Sequence, residues 1–272
     1  MMYQIFNLQK FRKMTELAML IREKFINDDI PYIIIKNNSV LQTYDEIIDY
    51  YEELNNLLGE VKMVDKVKYN EANQDDIWVN VKYTFSDNQV GSTDAPVFPP
   101  WKTNDQLMLH TDNTLSNEDN FANITELICI KPSKYSGETT IISNNKIIEL
   151  VKYLDASYNT NLYNSIVNTK IYHKLVEKNI CTIVDNIDYN DIAYTFNFNI
   201  KQILSSPHNS KENLQIAIEF SKVLENIMKS SLAHEIRLET GDALLFNDTL
   251  VMHGRKYVFG ERYYKKCSIL VE

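Results

Sequence analysis

Leu107-Met108-Leu109-His110-Thr111-Asp112 decides how this chain is read, together with Val251-Met252-His253-Gly254-Arg255 far downstream. On an extended strand successive side chains alternate faces, so His110 and Asp112 project to the same side. A distant imidazole, His253, completes a set of two nitrogen donors and one carboxylate. Such a set holds iron(II) on one face and leaves the opposite face open. Strands of a barrel hold ligands rigidly, as a coordination geometry requires. Many short strands with the ligand pair on one of them point to a mainly β, α+β fold. The expected core is a double-stranded β-helix, the cupin-like jelly roll, with flanking helices.

Outward from these stretches, the first third alternates helical and strand signals. Residues 15–26 carry apolar side chains at helical spacing, with Thr15 as an expected cap. Pro31 to Lys36 reads as a buried strand, and Tyr44 to Leu58 as a helix stopped by Gly59. Residues 94–101 hold Pro96, Pro99 and Pro100, which excludes a helix interior or central strand and predicts a loop entering the His110 strand. Strands are expected at 123–130, 139–143, 236–238, 243–246 and 267–271, and helices at 145–154 and 212–228. Gly241-Asp242 reads as a turn. The segment from about 155 to 210 has no glycine and no site motif, so it reads as an insertion within the barrel. The expected organisation is one domain over 1–272, with 1–95 as an N-terminal elaboration.

The 272 residues carry a formal net charge of −9, without a basic stripe. That balance disfavours nonspecific nucleic-acid binding. Three widely spaced cysteines form no disulfide framework. The N-terminus lacks a signal pattern, and no apolar run reaches the roughly 18 residues of a membrane span. A cytoplasmic protein without a membrane partner is expected. Its oligomeric state is not legible.

The stretches LMLHTDNT, SGETT and GDALLFNDTLVMHGR, in that order, resemble the taurine dioxygenase and clavaminate synthase-like branch of iron(II)/2-oxoglutarate-dependent oxygenases. The resemblance spans roughly residues 100 to 272, with a looser match before that. It implies that His110, Asp112 and His253 bind iron(II), with 2-oxoglutarate and dioxygen as co-substrates. Asp112 argues against halogenation, because halogenating members carry a small residue in place of the carboxylate. The implied reaction decarboxylates 2-oxoglutarate to succinate and oxidises an unactivated C–H bond by hydroxylation or desaturation.

The remote carboxylate of 2-oxoglutarate suits a planar guanidinium. The resemblance implies an arginine after the distal histidine and a second base beyond it. Here Arg262 stands nine residues after His253, and Lys266 four further on. The link from His253 is shorter than in the family, and a lysine replaces its second arginine. Arg262 is assigned to the remote carboxylate, with Arg255 as the alternative. Thr139, after the Gly137 turn, matches a family threonine that helps bind the co-substrate, and it equally opens a strand. Asn247 is expected to support His253 from behind. Gln106 and Trp101 are candidate substrate contacts, with Tyr83 and Phe85 as further aromatics. His173, His208 and His234 read as structural or surface residues.

The expected substrate is a small polar metabolite, such as an amino acid or an amino-acid unit of a natural product, free or bound to a carrier protein. Two other readings fit the same barrel. One is a non-catalytic cupin-like metabolite-binding protein, which needs no open metal face. The other is a metal-dependent isomerase or hydrolase, which needs neither oxygen nor 2-oxoglutarate.

Overall fold

The computed structural model describes residues 3–63, 77–83, 104–112, 122–173, 180–186 and 194–272. The chain opens with β1 (Gln4–Asn7), α1 (Met14–Ile26), β2 (Tyr32–Lys36), α2 (Tyr44–Leu58), β3 (Glu60–Val61) and β4 (Val79–Tyr83). It continues through β5 (Leu107–His110), β6 (Ile124–Lys131), β7 (Tyr135–Ser136) and β8 (Thr139–Ser143). The helical middle holds α3 (Asn144–Tyr158), α4 (Leu162–Asn168), α5 (Ile200–Ser205) and α6 (Lys211–Lys229). Between α4 and α5 lie β9 (Lys170–Tyr172), β10 (Ile180–Thr182), β11 (Val184–Asn186) and β12 (Tyr194–Phe196). The chain returns through β13 (His234–Ile236), β14 (Ala243–Asn247), β15 (Val251–Arg255), β16 (Val258–Phe259) and β17 (Arg262–Leu270).

Among the described residues two sheets form the core. The larger runs β1-β2-β14-β6-β17-β3, with β4 also paired to β17, and the smaller runs β13-β8-β15-β5. Strand alternation sorts the side chains into three layers. Between the sheets lie Tyr32, Leu127, Cys129, Ile141, Leu244, Phe246, Val251 and Tyr264. Outside the larger sheet, Ile33, Ile35, Ile128 and Ile269 pack beneath α1 and α2 through Leu17, Ile21, Tyr51 and Leu54. Outside the smaller sheet, Leu109, Ile142 and Met252 meet Phe220 and Leu224 of α6. This is the jelly-roll core with flanking helices that the sequence predicts.

Local chemistry explains the boundaries. Thr43 accepts the Glu46 amide at 3.2 Å while Glu46 accepts the Thr43 amide at 2.9 Å, a reciprocal cap that starts α2. Gly59 ends it where a Cβ would lie 2.1 Å from the Leu270 carbonyl oxygen. Thr15 does not cap α1: the helix begins at Met14, and its N-cap Lys13 makes no side-chain hydrogen bond. β17 starts five residues before the expected strand at 267, because Arg262, Lys265 and Lys266 are buried charges within it. β13 lies two residues earlier than expected. The first third supplies strands of the larger sheet as well as its two covering helices. The middle carries short strand pairs, β9 with β10 and β11 with β12, absent from the sequence reading. No helix among the described residues is long and apolar enough to cross a membrane.

Candidate metal centre

β5 and β15 pair antiparallel, with His110 directly opposite His253. Their rings stand 4.4 Å apart, on the inner face of the smaller sheet. The His110 Nδ1 lies 2.8 Å from the Met108 carbonyl oxygen. A carbonyl only accepts, so Nδ1 carries the proton and Nε2 presents its lone pair. That Nε2 is 3.7 Å from Asp112 Oδ1, and His253 Nε2 is 3.5 Å from Asp112 Oδ2. One donor atom from each residue falls within 4.8 Å of the others. Burial, then the neighbouring His253, pulls the His110 pKa down to about 4, which keeps its imidazole neutral. Neutral imidazoles and a carboxylate are the donors an iron(II) site requires, so this set fits the metal.

Gly254 allows the two histidine strands to approach. A Cβ there would sit 2.6 Å from the Leu107 carbonyl oxygen and 3.0 Å from Thr140 Oγ1. Any side chain would push β5 away from β15 and separate the imidazoles.

Lys266, on the inner face of β17, pairs with Asp112 Oδ2. It therefore stands at the triad, four residues along the strand from Arg262 and not beside it. Asp248, in the turn before β15, accepts the Asp112 backbone amide at 2.9 Å. Its other oxygen lies 3.4 Å from His253 Nδ1. The sequence reading missed Asp248 and favoured its neighbour. Asn247 instead closes the turn, accepting Thr249 N at 3.0 Å and Thr249 Oγ1 at 2.7 Å.

A second cluster of charge lies beside the triad. Arg255 follows His253 by two residues, so it shares the inner face of β15, and Thr139 of β8 lies directly across from it. Arg262 stacks its guanidinium 3.6 Å from the Tyr264 ring centre. Both arginines are under 5 % exposed, at 4 % for Arg255 and 3 % for Arg262. Burial, reinforced by the Arg262 charge, drives the Arg255 pKa down to about 9. Arg255 donates to the Asp105 carbonyl oxygen at 2.8 Å. Arg262 Nε is buried without a hydrogen-bond acceptor among the described residues. Two adjacent buried cations favour an anion beside them, and the open Nε of Arg262 makes the cluster suit a carboxylate ligand.

Tyr83 lies across from Arg262 in the β4–β17 ladder. Gln106 turns to Met228 of α6, with its amide 3.5 Å from the sulfur. Trp101, Phe85 and the proline-rich segment 94–101 lie outside the described residues. His234 bonds Tyr32 at 2.6 Å, and His173 is buried with Nδ1 3.8 Å from Cys181 Sγ. His208 lies tilted against Tyr172, with ring centres 5.6 Å apart. None of these three belongs to the metal cluster.

A family model described as "Taurine catabolism dioxygenase TauD, TfdA family" matches residues 51–267. Solved structures share the fold at low sequence identity. A complex of asparagine oxygenase with Fe(II), (2S,3S)-3-hydroxyasparagine and succinate superposes with TM-score 0.61 at 11 % identity, covering 94 % of this chain and 78 % of that one. The PvcB protein from Pseudomonas aeruginosa gives TM-score 0.61 at 12 % identity, covering 94 % and 81 %. The non-heme iron oxygenase OrfP, in complex with Fe, succinate and (3S)-hydroxy-L-Arg, gives TM-score 0.58 at 11 % identity, covering 94 % and 81 %. No curated protein matches the sequence.

Proposed function

This chain belongs to the TauD, TfdA dioxygenase family, and on that premise we propose that it is an iron(II)- and 2-oxoglutarate-dependent oxygenase of a small polar metabolite. The observation that carries the assignment is that a His-Asp-His cluster and a buried arginine pair both lie on strands of the two facing core sheets, Arg255 on the strand of His253 and Arg262 on that of Lys266. A binding protein with a structural metal needs no such second cluster. An isomerase or hydrolase needs no dicarboxylate co-substrate.

In this reading His110, Asp112 and His253 hold the metal. Arg262 and Arg255 grip the remote carboxylate of 2-oxoglutarate, helped by the Thr139 hydroxyl. Bound iron(II) supplies the dioxygen activation that couples decarboxylation of 2-oxoglutarate to oxidation of the substrate C–H bond. The Met108 carbonyl keeps the His110 proton on Nδ1, away from the metal side. Lys266 neutralises the Asp112 oxygen nearest to it, so that the carboxylate offers the other oxygen as a single donor. The apolar layer walls one side of the ligands, with the Phe246 ring 4.6 Å from that of His253.

The substrate is an amino acid or an amino-acid unit of a natural product. Support comes from fold relatives whose complexes hold hydroxyasparagine and hydroxyarginine. Succinate release, screened over free amino acids and their carrier-bound thioesters, tests this. Coupled turnover with one of them supports the reading. Coupling only to a macromolecular substrate overturns it.

A further inference from the structure

We infer that Asp248 is the positioning residue that unites two of the three metal ligands; the inference rests on the oxygenase reading above. Its side chain is fully buried. Oδ2 accepts the Asp112 backbone amide at 2.9 Å, and Oδ1 faces His253 Nδ1 at 3.4 Å. That ring nitrogen meets no hydrogen-bond partner among the described residues. A carboxylate there can only accept, so it draws the His253 proton onto Nδ1 and leaves the Nε2 lone pair aimed at Asp112.

A turn-forming role does not account for the side chain. The turn between β14 and β15 is closed by Asn247, through Thr249 N and Oγ1. The Asp248 backbone amide donates separately to the Asn123 carbonyl oxygen at 2.9 Å. The carboxylate itself reaches both ligands, one through each oxygen. His110 takes its tautomer from a backbone carbonyl on its own strand, whereas His253 depends on this side chain. The two imidazoles are therefore fixed by different means, and only one is open to a side-chain test.

Asp248→Asn separates the two tasks. The amide oxygen still accepts the Asp112 amide, but an N–H then faces His253 and favours the tautomer with its proton on Nε2, which cannot ligate. Cobalt(II), titrated anaerobically as a spectroscopic stand-in, reads the outcome with no turnover needed. The variant is expected to stay folded by circular dichroism and to bind cobalt 10- to 100-fold, roughly, more weakly than wild type. A tight wild type with an equally tight variant overturns the role of Asp248 alone. A wild type that binds no cobalt overturns the oxygenase reading, and this inference with it. A second measurement needs no variant: nitrogen-15 spectra of the zinc(II)-loaded protein should show a proton on His253 Nδ1. A zinc-bound Nδ1 overturns the inference.

Discussion

Replacing Glu126 by glutamine should stabilise this protein at neutral pH and have little effect in mild acid. Glu126 projects from the outer face of β6 beneath α2 and is fully buried. Asn55 Nδ2 donates to its Oε2 at 2.6 Å. Glu126 Oε1 and Asn55 Oδ1 are both buried without a hydrogen-bond partner. Burial raises the carboxyl pKa from 4.5 to about 8. A protonated carboxyl suits that buried position, where an ionised one would leave Oε1 charged and without a donor.

The folded state therefore binds this proton more tightly than the unfolded chain. Stability is complete below pH 4.5, the unfolded value, and declines as pH rises until the folded value of about 8 is passed. The loss is about 1.4 kcal/mol per pH unit within that window, or about 3 kcal/mol at neutral pH. Glutamine carries its donor at every pH and escapes the penalty. Denaturant unfolding of wild type and Glu126→Gln at pH 5, 6, 7 and 8 measures the difference. The expected gap opens steadily with pH and reaches about 3 kcal/mol near neutrality. A gap that does not change with pH refutes the reasoning, because it would mean that the carboxyl does not titrate between the two values.

Arg262→Leu should weaken 2-oxoglutarate binding to the iron(II)-loaded protein about 100-fold by calorimetry, with metal affinity retained, since one charge-assisted pair is lost. Arg255→Leu with unchanged binding would assign the carboxylate to Arg262 alone. Gly254→Ala should lower both the melting temperature and cobalt affinity, because its Cβ would meet the Leu107 carbonyl oxygen at 2.6 Å. A variant with wild-type values for both would show that β5 and β15 have slack. Thr43→Ala removes the α2 cap and should cost about 1 kcal/mol of stability without altering metal binding; no loss would mean that water replaces the hydroxyl.

The parts of the fold that show in the sequence are those where period and local chemistry agree. Tyr44 to Leu58 carries a helical repeat and a glycine stop, and it is a helix with those bounds, to which the structure adds a reciprocal cap at Thr43 and Glu46. Thr139 to Ser143 is bounded by a turn glycine and by α3, and its limits are those expected. β17 was half hidden because its inner face carries Arg262 and Lys266 where a strand pattern expects apolar side chains. That interruption is itself the mark of a site. The short strands of the middle segment lack a strong alternating pattern, and pairing with each other supplies what propensity does not.

The candidate site divides along the same line. His110 and Asp112 were legible from their two-residue spacing, although β5 ends at His110 and Asp112 lies two residues beyond it, held by its backbone amide on Asp248. His253 and the arginines needed the order of motifs along the chain as well. The supports of the triad were not legible, because they depend on through-space pairing. Nothing in the sequence links Asp248 to His253 or Lys266 to Asp112; the turn geometry and the approach of the two sheets create those contacts. Asn247 drew attention as a polar residue at a strand end, yet its amide is spent on Thr249.

The most direct test of the account is optical. Iron(II) and then 2-oxoglutarate are added anaerobically to the wild-type protein, and the visible charge-transfer band of the iron-bound 2-oxo acid is titrated. The account predicts a saturable band that is absent in His110→Ala. No band in wild type, with metal analysis also blank, would contradict it.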